Sequence, residues 1–135
     1  MFVYGTLRPG GGMPIERVTG RPAHWLGGAT TAGRLIWLGR YPGLIPARGR
    51  GDRVLGDLYV LPGTRDLHHL DRYEGCHLGR RAEYERVRQP VMTDDGPRVA
   101  WVYRYARPAG TRAGIRDGDY LDFVSAQSGR IGYPS

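Results

Sequence analysis

Glycine and proline interrupt this chain so often that they limit what it can fold into. The 135 residues include 22 glycines and 10 prolines. Both residue types disfavour the interior of helices and mark turns, so we expect short elements, many loops and no long helix. The rest of the composition is typical of a globular protein, with 40% hydrophobic and 24% charged residues. A chain of this length predicts a single domain, residues 1–135, with a substantial core.

Segments rich in β-branched and aromatic residues predict most of the ordered structure. The predicted strands are Phe2–Tyr4, Gly33–Leu38, Val54–Leu61, Tyr84–Met92 and Arg98–Tyr105, with a turn at Asp94–Pro97 before the last of them. Tyr41–Ala47 contains two prolines and is expected to be an irregular extended piece.

Helical spacing is clearest where Leu67, Leu70 and Tyr73 follow one another at intervals of three. This spacing predicts a helix over Thr64–Tyr73, with Thr64 capping its first turn and Glu74-Gly75 at its end.

Weaker patterns predict a helical turn at Ile15–Val18, a short helix at Ile115–Ala126 and a tail over 127–135. Strands dominate, without the regular strand–helix alternation of a doubly wound sheet. The fold class predicted is α+β: a small mixed, mostly antiparallel, barrel-like sheet with a few short flanking helices.

The charge of the chain is strongly basic, at +7, and all 20 basic residues are arginines. They are scattered, and the densest clusters are short (Arg48–Arg53 and Arg80–Arg81). The sequence has neither a basic helix nor the aromatic–basic alternation of RNA-binding proteins, so no nucleic-acid partner is predicted. Binding to nucleic acid or to an anionic surface remains an alternative that salt dependence would test.

No apolar run approaches the roughly 20 residues of a membrane span, and no signal peptide is recognised. We therefore expect no membrane partner and a cytoplasmic location.

The usual catalytic sets are missing from the sequence. The four histidines do not have metal-ligand spacing, and the single Cys76 excludes a multi-cysteine site. No phosphate-binding loop or dinucleotide fingerprint is recognised. The serines lie near the C-terminus and lack the context of a nucleophile. The sequence thus predicts neither a metal nor a cofactor.

The stretch Tyr4-Gly5-Thr6-Leu7 is the first candidate site. Gly5 allows a turn where a Cβ would clash. Successive N–H groups in such a turn converge on an anion in many proteins, so this turn is a candidate for binding a carboxylate. A tight turn after an edge strand has the same appearance.

The second candidate is Glu74, in the stretch Leu70–Gly75. A carboxylate at a helix C-terminus is disfavoured by the helix dipole, and burial beside Tyr73 would act in the same direction. A carboxyl group with a raised pKa suits general acid–base catalysis near neutral pH. The alternative is a solvated residue at a helix end. Asp71 is expected to be structural, bonding nearby backbone or Arg72.

Four motifs occur in order along the chain: FVYGTLR at 2–8, VLGDLY at 54–59, LDRYEG at 70–75 and YERV at 84–87. With GRLIWLGRYPGL at 33–44, they give the chain a sequence that resembles the γ-glutamylcyclotransferase-like family, from Phe2 to about Tyr105. This family includes γ-glutamylcyclotransferases, γ-glutamylamine cyclotransferases and the cyclotransferases that trim γ-glutamyl groups from aminoglycoside intermediates.

The resemblance implies a fold, a reaction and a site. The fold is a small barrel-like sheet with flanking helices, and the substrate is a small γ-glutamyl amide. Its α-amine attacks its own γ-carbonyl, which releases 5-oxoproline and a free amine without a metal or a cofactor. The residues implied are Glu74 as the general acid/base and Tyr4, Gly5, Thr6, Leu7 and Tyr84 as substrate-binding residues. A non-catalytic small-molecule-binding or regulatory module on the same fold is the alternative.

The chain departs from the family pattern at Cys76–Glu83, where the loop after Glu74 is enlarged. This enlargement leaves the placement of Tyr84 open and adds Arg80 and Arg81 near the expected mouth of the site.

Other residues near the expected site keep two interpretations. Glu83 and Glu85 are rival carboxylates, ranked below Glu74 because they flank a strand start. Arg86 is either a structural ion-pair partner or a surface residue. Tyr103 and Tyr120 each have two interpretations: they line the pocket, or they pack in the core. Neither the amine half of the substrate nor the oligomeric state follows from the sequence, and the same holds for closure of the Arg8–Met13 loop.

Overall fold

Eight strands and three α-helices make up residues 1–130, the part of the chain that the computed structural model describes. The strands are β1 (Phe2–Val3), β2 (His24–Ala32), β3 (Arg34–Trp37), β4 (Pro42–Ile45), β5 (Arg53–Val60), β6 (Tyr84–Thr93), β7 (Gly96–Tyr105) and β8 (Gly114–Ile115). The helices are α1 (Ile15–Thr19), α2 (Thr64–Tyr73) and α3 (Tyr120–Arg130), and short 3-10 segments span Cys76–Arg81 and Arg116–Gly118.

The strands form two sheets. The larger has the order β1-β5-β2-β6-β7, and the smaller has the order β4-β3-β8. Each pairing recorded between these strands is antiparallel. The edge strands β1 and β7 contact each other, and β4 packs against β7. The sheets therefore curl around a shared interior, although no ladder of hydrogen bonds closes them into a barrel within residues 1–130. The α+β class predicted from the sequence is confirmed.

Strand β1 has only two residues, and both of its faces are buried. Successive side chains of a strand point to opposite sides, and Phe2 and Val3 accordingly enter two different hydrophobic clusters. Phe2 packs with Leu44, Val54 and other residues between the sheets. Val3 packs in the cluster that contains the fully buried Leu70 of α2. Each large apolar side chain buried in this way contributes about 1.5–3 kcal/mol, so the two residues fix the start of the chain against the core.

The structure contains strands β2 and β4, neither of which was predicted as a strand. Strand β2 pairs with both β5 and β6 and was not predicted from the sequence. Its strand signal is weakened by Gly27 and Gly28, and the register shifts between Trp25 and Gly27. The segment predicted as an irregular piece contains β4, whose Pro42 and Gly43 are residues that are rare in strands. Pairing with β3 and full burial stabilise it nonetheless.

Three predictions about helices were wrong in detail. Thr64 does not cap α2; the Gly63 N–H donates instead to Asp66 Oδ2 at 2.8 Å, and Asp66 also binds Arg21. The segment predicted as a helix from Ile115 begins with β8 and a 3-10 turn, since Asp117 and Gly118 have left-handed φ angles of 62° and 61°. Residues 127–130 of the predicted tail belong to α3, and residues 131–135 lie outside the described part.

The helices are short, as the glycine and proline content predicts. The longest described one, α3, has 11 residues. Among residues 1–130 no helix has the length and apolar character needed to cross a bilayer.

Candidate active site

A cavity of about 410 Å³ opens between the turn after β1, the C-terminal end of α2 and the first residue of β6. The residues predicted as a site from sequence all line it: Tyr4, Gly5, Thr6, Leu7, Glu74 and Tyr84. The turn and the helix end are far apart in the chain. They meet because β1 and α2 share the hydrophobic cluster of Val3, Leu7 and Leu70.

The turn Gly5–Leu7 lines this cavity and contains backbone donors that have no partner in the described part of the chain. The Gly5 and Thr6 carbonyls accept hydrogen bonds from the N–H groups of Arg8 (3.0 Å) and Met13 (3.1 Å). Among residues 1–130, neither a carbonyl nor a side chain accepts a hydrogen bond from the N–H groups of Gly5, Thr6 and Leu7. Amides without a partner at a cavity wall are suited to bind an anion or a developing oxyanion.

Gly5 lies where the turn leaves little space for a side chain. A Cβ at this position would lie 3.0 Å from Cγ of Pro42, closer than most real contacts. A clash at this position was expected from the sequence, and Pro42 of β4 is the group responsible for it.

Arg8 anchors the far side of the turn. Its Nε donates to Asp57 Oδ2 at 2.8 Å, and its Nη1 donates to Asp119 Oδ1 at 3.1 Å. Asp57 also accepts from the indole N–H of Trp25 at 3.0 Å. The segment Arg8–Met13, whose composition suggests mobility, therefore begins at an ion-paired residue and returns to the turn through the Met13 N–H.

Glu74 is the cap residue at the C-terminus of α2. Its N–H donates to the Leu70 carbonyl at 2.8 Å, and Gly75 follows with a left-handed φ of 78° that ends the helix. Within the described residues the Glu74 carboxyl group has no hydrogen-bond donor and no cation at ion-pair distance. Solvent reaches part of the residue through the cavity, but protein surrounds the carboxyl, and this burial raises its pKa to about 7.

Three tyrosine hydroxyls surround the cavity and hold its walls together. Tyr4 donates to the Tyr103 carbonyl at 2.6 Å, Tyr84 donates to the Pro42 carbonyl at 2.6 Å, and Tyr103 donates to Asp71 Oδ1 at 2.7 Å. Burial raises the pKa of all three, and the nearby Glu74 carboxylate acts in the same direction. These hydroxyls therefore stay protonated at neutral pH and act as fixed donors.

Asp71, one turn before Glu74, ties α2 to the larger sheet. It binds Arg86 of β6 through two contacts of 2.8 and 3.2 Å, and the Arg86 guanidinium lies 4.2 Å from the ring centre of Trp101. The partner of Asp71 is thus Arg86 and not its neighbour Arg72, so the prediction of a local contact was wrong. Arg86 lies opposite Tyr103 in the β6–β7 ladder, which brings both partners of Asp71 to one place.

The other candidate residues separate into those at the cavity and those away from it. Glu83 lines the cavity and accepts from the Tyr41 hydroxyl at 3.1 Å, whereas Glu85 is exposed and paired with Arg104 at 2.7 Å. Tyr103 lines the cavity, but Tyr120 packs against Trp37.

The enlarged segment after Glu74 contributes Arg81 to the cavity wall, whereas Arg80 is not among the lining residues. Sequence reasoning missed Arg40, Tyr41 and Leu78, which also line it. The Tyr-Pro turn at 41–42 was a usable signal, because it places this segment next to β4.

Among residues 1–130, neither a cysteine nor a histidine lines this cavity. The Cys76 thiol donates to the Tyr84 carbonyl at 3.3 Å, and burial raises its pKa to about 11, so it is a poor nucleophile at neutral pH. Nδ1 of His69 lies 3.1 Å from the Thr19 carbonyl on the α1 side of the helix. Residues 1–130 contain no cluster of three histidine, cysteine or acidic side chains that could bind a metal ion.

Comparison with known protein families decides where this chain belongs. Residues 1–122 match the family described as "Gamma-glutamyl cyclotransferase, AIG2-like". The chain belongs to this family. No curated protein gives a significant match. Membership in the γ-glutamyl cyclotransferase, AIG2-like family therefore rests on the match over residues 1–122.

Three solved structures are similar to this member of the family. Protein YtfP from Escherichia coli is 33% identical, with a TM-score of 0.61, over 90% of this chain and 96% of that one. An AIG2-like protein from Mus musculus is 25% identical, with a TM-score of 0.70, over 89% and 86%. YkqA from Bacillus subtilis has a TM-score of 0.75 at 22% identity. The match covers 96% of this chain but only 42% of YkqA, so YkqA shows the fold alone.

Proposed function

We propose that this protein is a γ-glutamylcyclotransferase, which converts a γ-glutamyl amide into 5-oxoproline and a free amine. Membership in the γ-glutamyl cyclotransferase, AIG2-like family supports a cyclotransferase-type activity. The observation that carries the proposal is the desolvated carboxyl of Glu74, which shares a cavity with the turn Gly5–Leu7. In the part of the chain that the structure describes, neither this carboxyl nor the N–H groups of the turn have a partner. A module that only binds ligands has no need for such a base, which favours an enzyme over the regulatory alternative.

The first step is a proton transfer followed by ring closure. The substrate α-amine enters as an ammonium ion, and only its neutral form is a nucleophile. The Glu74 carboxylate takes one proton from this ammonium group. The nitrogen lone pair then attacks the γ-carbonyl carbon, and the carbonyl electrons move to oxygen to form a tetrahedral oxyanion. With a pKa of about 7, Glu74 is about half ionised near neutral pH, so it can both accept a proton and return it.

The second step breaks the original amide bond. The oxyanion reforms the carbonyl, the C–N bond to the amine half is cleaved, and the protonated Glu74 donates its proton to the departing nitrogen. The attacking nitrogen loses its remaining excess proton to solvent or to Glu74, and the products are 5-oxoproline and the amine. No metal, cofactor or covalent enzyme intermediate is needed. The nucleophile and the electrophile belong to one molecule, and correct folding of the glutamyl chain contributes roughly 7–11 kcal/mol to such reactions.

The amides of Gly5–Leu7 have two candidate roles in this scheme. They bind the glutamyl α-carboxylate, or they stabilise the oxyanion. The loss of one oxyanion-hole donor typically slows turnover by a factor of about 10²–10³, whereas loss of a carboxylate contact mainly raises KM. The hydroxyls of Tyr4, Tyr84 and Tyr103 are committed to protein acceptors, so we assign them to shaping the cavity around the glutamyl chain.

The test is direct detection of 5-oxoproline. The purified protein is incubated with a panel of γ-glutamyl amides (α-aminoacyl, ε-lysyl, alkylamine and aminoglycoside), and 5-oxoproline is measured by chromatography. We expect release from at least one of them, and we expect Glu74→Gln to turn over at least about a hundredfold more slowly than the wild type. The matched control is Glu85→Gln, which removes an exposed carboxylate outside the cavity. No 5-oxoproline from any substrate, or wild-type turnover in Glu74→Gln, would refute the proposal.

A further inference from the structure

A second cavity, of about 670 Å³, shares no lining residue with the candidate active site. Two of its walls are strand segments: Leu58–Leu61 at the end of β5 and Arg98–Trp101 of β7. Met1, Leu67 of α2 and Arg88 of β6 also line it. We call this cavity the β5–β7 slot.

The slot continues the path of β1. Strand β1 pairs with β5 and contacts β7, so it lies between these two strands. The Met1 carbonyl accepts a hydrogen bond from the Tyr59 N–H at 2.8 Å, which extends the pairing with β5 by one residue. Next to Met1 the space between β5 and β7 is the slot, which residues 1–130 leave unfilled. Because neighbouring strands lie about 4.8 Å apart, a gap that holds β1 at one end is wide enough for an extended segment at the other.

The edge of β7 that faces the slot carries unpaired backbone groups. Among residues 1–130, β7 is the last strand of its sheet and pairs with β6 alone. Val99 lies opposite Pro90, which has no N–H, so these two residues form one of the pairs that do not exchange hydrogen bonds. The N–H and C=O groups of Val99, and those of Trp101 two residues further on, therefore point away from β6. The Tyr103 carbonyl, next in this series, accepts from the Tyr4 hydroxyl on the same side.

Apolar side chains on the walls of the slot are exposed to solvent. Val99 is 60% exposed, Val60 of β5 is 50% exposed and Leu26 of β2 is 42% exposed. All three line the slot. Exposed apolar residues that cluster at a groove are typical of a binding surface, whereas scattered ones need no explanation. A segment that covers them removes apolar surface from water, which favours association.

The charge at the slot is positive and unopposed. Arg88 and Arg98 are exposed and line it, whereas none of its described lining residues is acidic. No carboxylate within residues 1–130 lies within 4.0 Å of either guanidinium group. A second copy of the chain, related by a two-fold axis at the slot, would bring the same arginines together, and like charges repel. An acidic partner is therefore favoured over self-association.

We propose that the β5–β7 slot binds an extended segment of another protein, in which apolar residues are flanked by acidic ones. The segment adds to β7 as a short strand, and its backbone pairs with Val99 and Trp101. Its carboxylates bind Arg88 and Arg98 through charge-assisted hydrogen bonds. This surface is separate from the candidate active site, and it does not depend on the proposed reaction.

The probe is a rhodamine-labelled peptide, Glu-Val-Leu-Val-Glu-amide, whose binding to the 135-residue protein is followed by fluorescence anisotropy. We expect saturable binding in the micromolar range that weakens as salt is added. A peptide with lysine in place of both glutamates should bind at least about tenfold more weakly, because its charges oppose those of the arginines. A peptide N-methylated at its three apolar residues cannot donate hydrogen bonds along either edge, and it should lose affinity by at least about tenfold.

Two variants locate the bound peptide. Arg88→Gln/Arg98→Gln should raise Kd about tenfold, whereas Arg48→Gln/Arg50→Gln, which removes the same charge from exposed positions that do not line the slot, should keep the wild-type Kd. Val99→Pro removes one outward N–H and no hydrogen bond of the β6–β7 ladder, and it should also raise Kd about tenfold. Val99→Ile keeps this N–H and is its control. Circular dichroism and thermal unfolding verify that each variant is folded.

Other outcomes would overturn the proposal. These are no saturation below about 1 mM peptide, equal binding of the glutamate and lysine peptides, or an unchanged Kd in both slot variants. An N-methylated peptide that binds as tightly as its parent would overturn the addition of a strand, because side chains alone would then account for binding. A dimer in sedimentation velocity that Val99→Pro dissociates, without binding of the peptide, would assign the slot to a second copy of the chain and overturn the proposal as well.

Discussion

Replacing Glu74 by glutamine should stabilise the folded protein at pH 8 and leave its stability at pH 4 nearly unchanged. The Glu74 carboxyl is surrounded by protein and has no cation or hydrogen-bond donor among the described residues, and this burial raises its pKa from 4.5 to about 7. Ionising it in the folded state therefore costs free energy that the solvated carboxyl of the unfolded chain does not require.

The size of the effect follows from the two pKa values. Between pH 4.5 and 7 the folded state binds more protons at Glu74 than the unfolded state does, so the free energy of unfolding falls as pH rises through this window. One pH unit corresponds to about 1.4 kcal/mol, and the interval from 4.5 to about 7 therefore corresponds to at most about 3 kcal/mol. The penalty is fully present above pH 7 and absent well below 4.5. Glutamine keeps the shape of the side chain and never ionises.

The assay is urea unfolding of the wild type and Glu74→Gln at several pH values from 4 to 8, followed by circular dichroism. The difference in unfolding free energy should be near zero at pH 4 and grow to about 1–3 kcal/mol at pH 8, with a matching rise in Tm of up to roughly 10 °C. Subtracting the two curves removes the titration of all other groups. Glu85→Gln is the control for the loss of one negative charge, because Glu85 is exposed and paired with Arg104.

A constant difference between wild type and Glu74→Gln across this pH range would refute the argument. It would mean that the carboxyl is solvated in the folded protein. A variant that is less stable than the wild type at pH 8 would refute it more strongly, because the carboxylate would then have a stabilising partner.

Three further predictions follow from the same contacts. The wild-type kcat/KM should rise with pH along a limb centred near 7, as Glu74 loses its proton; initial rates that are flat from pH 5 to 8 would contradict this. Asp71→Asn should lower the unfolding free energy in urea by about 1–3 kcal/mol, because it leaves the half-buried Arg86 without a counter-charge; an unchanged midpoint would show that the pair is dispensable. Gly56→Ala should destabilise the protein by about 3 kcal/mol or more in thermal unfolding, because the new Cβ would lie within 2.5 Å of the β1 backbone and of the Phe2 ring. The control is Gly28→Ala, because the nearest atom to a Cβ at that position is 3.9 Å away. Equal effects of the two substitutions would contradict the packing.

The elements that carry local signals were predictable from the sequence. The spacing of Leu67, Leu70 and Tyr73 predicts α2, and a glycine after Glu74 predicts where the helix ends, because both signals arise within a few residues. The β6–β7 hairpin follows from two β-rich runs around the turn at Asp94–Pro97. The order of the motifs indicated the family that the comparison later established.

The missed features depend on contacts between distant parts of the chain. Strand β2 carries Gly27 and Gly28 and forms because β5 and β6 flank it. The partner of Asp71 lies 15 residues away on a strand, so the helix alone could not identify Arg86. Arg40 reaches the cavity through the pairing of β3 with β4, and no local pattern marks it.

The central claim is that Glu74 and the amides of Gly5–Leu7 hold the two ends of one glutamyl group. The most direct measurement is a crystal structure of the Glu74→Gln protein with an intact γ-glutamyl amide bound. We predict that the α-amine and the γ-carbonyl lie beside the side chain at position 74, and that an oxygen of the glutamyl group lies within hydrogen-bond distance of the N–H groups of the turn. A glutamyl group bound elsewhere on the protein, or one whose α-amine points away from position 74, would contradict the account.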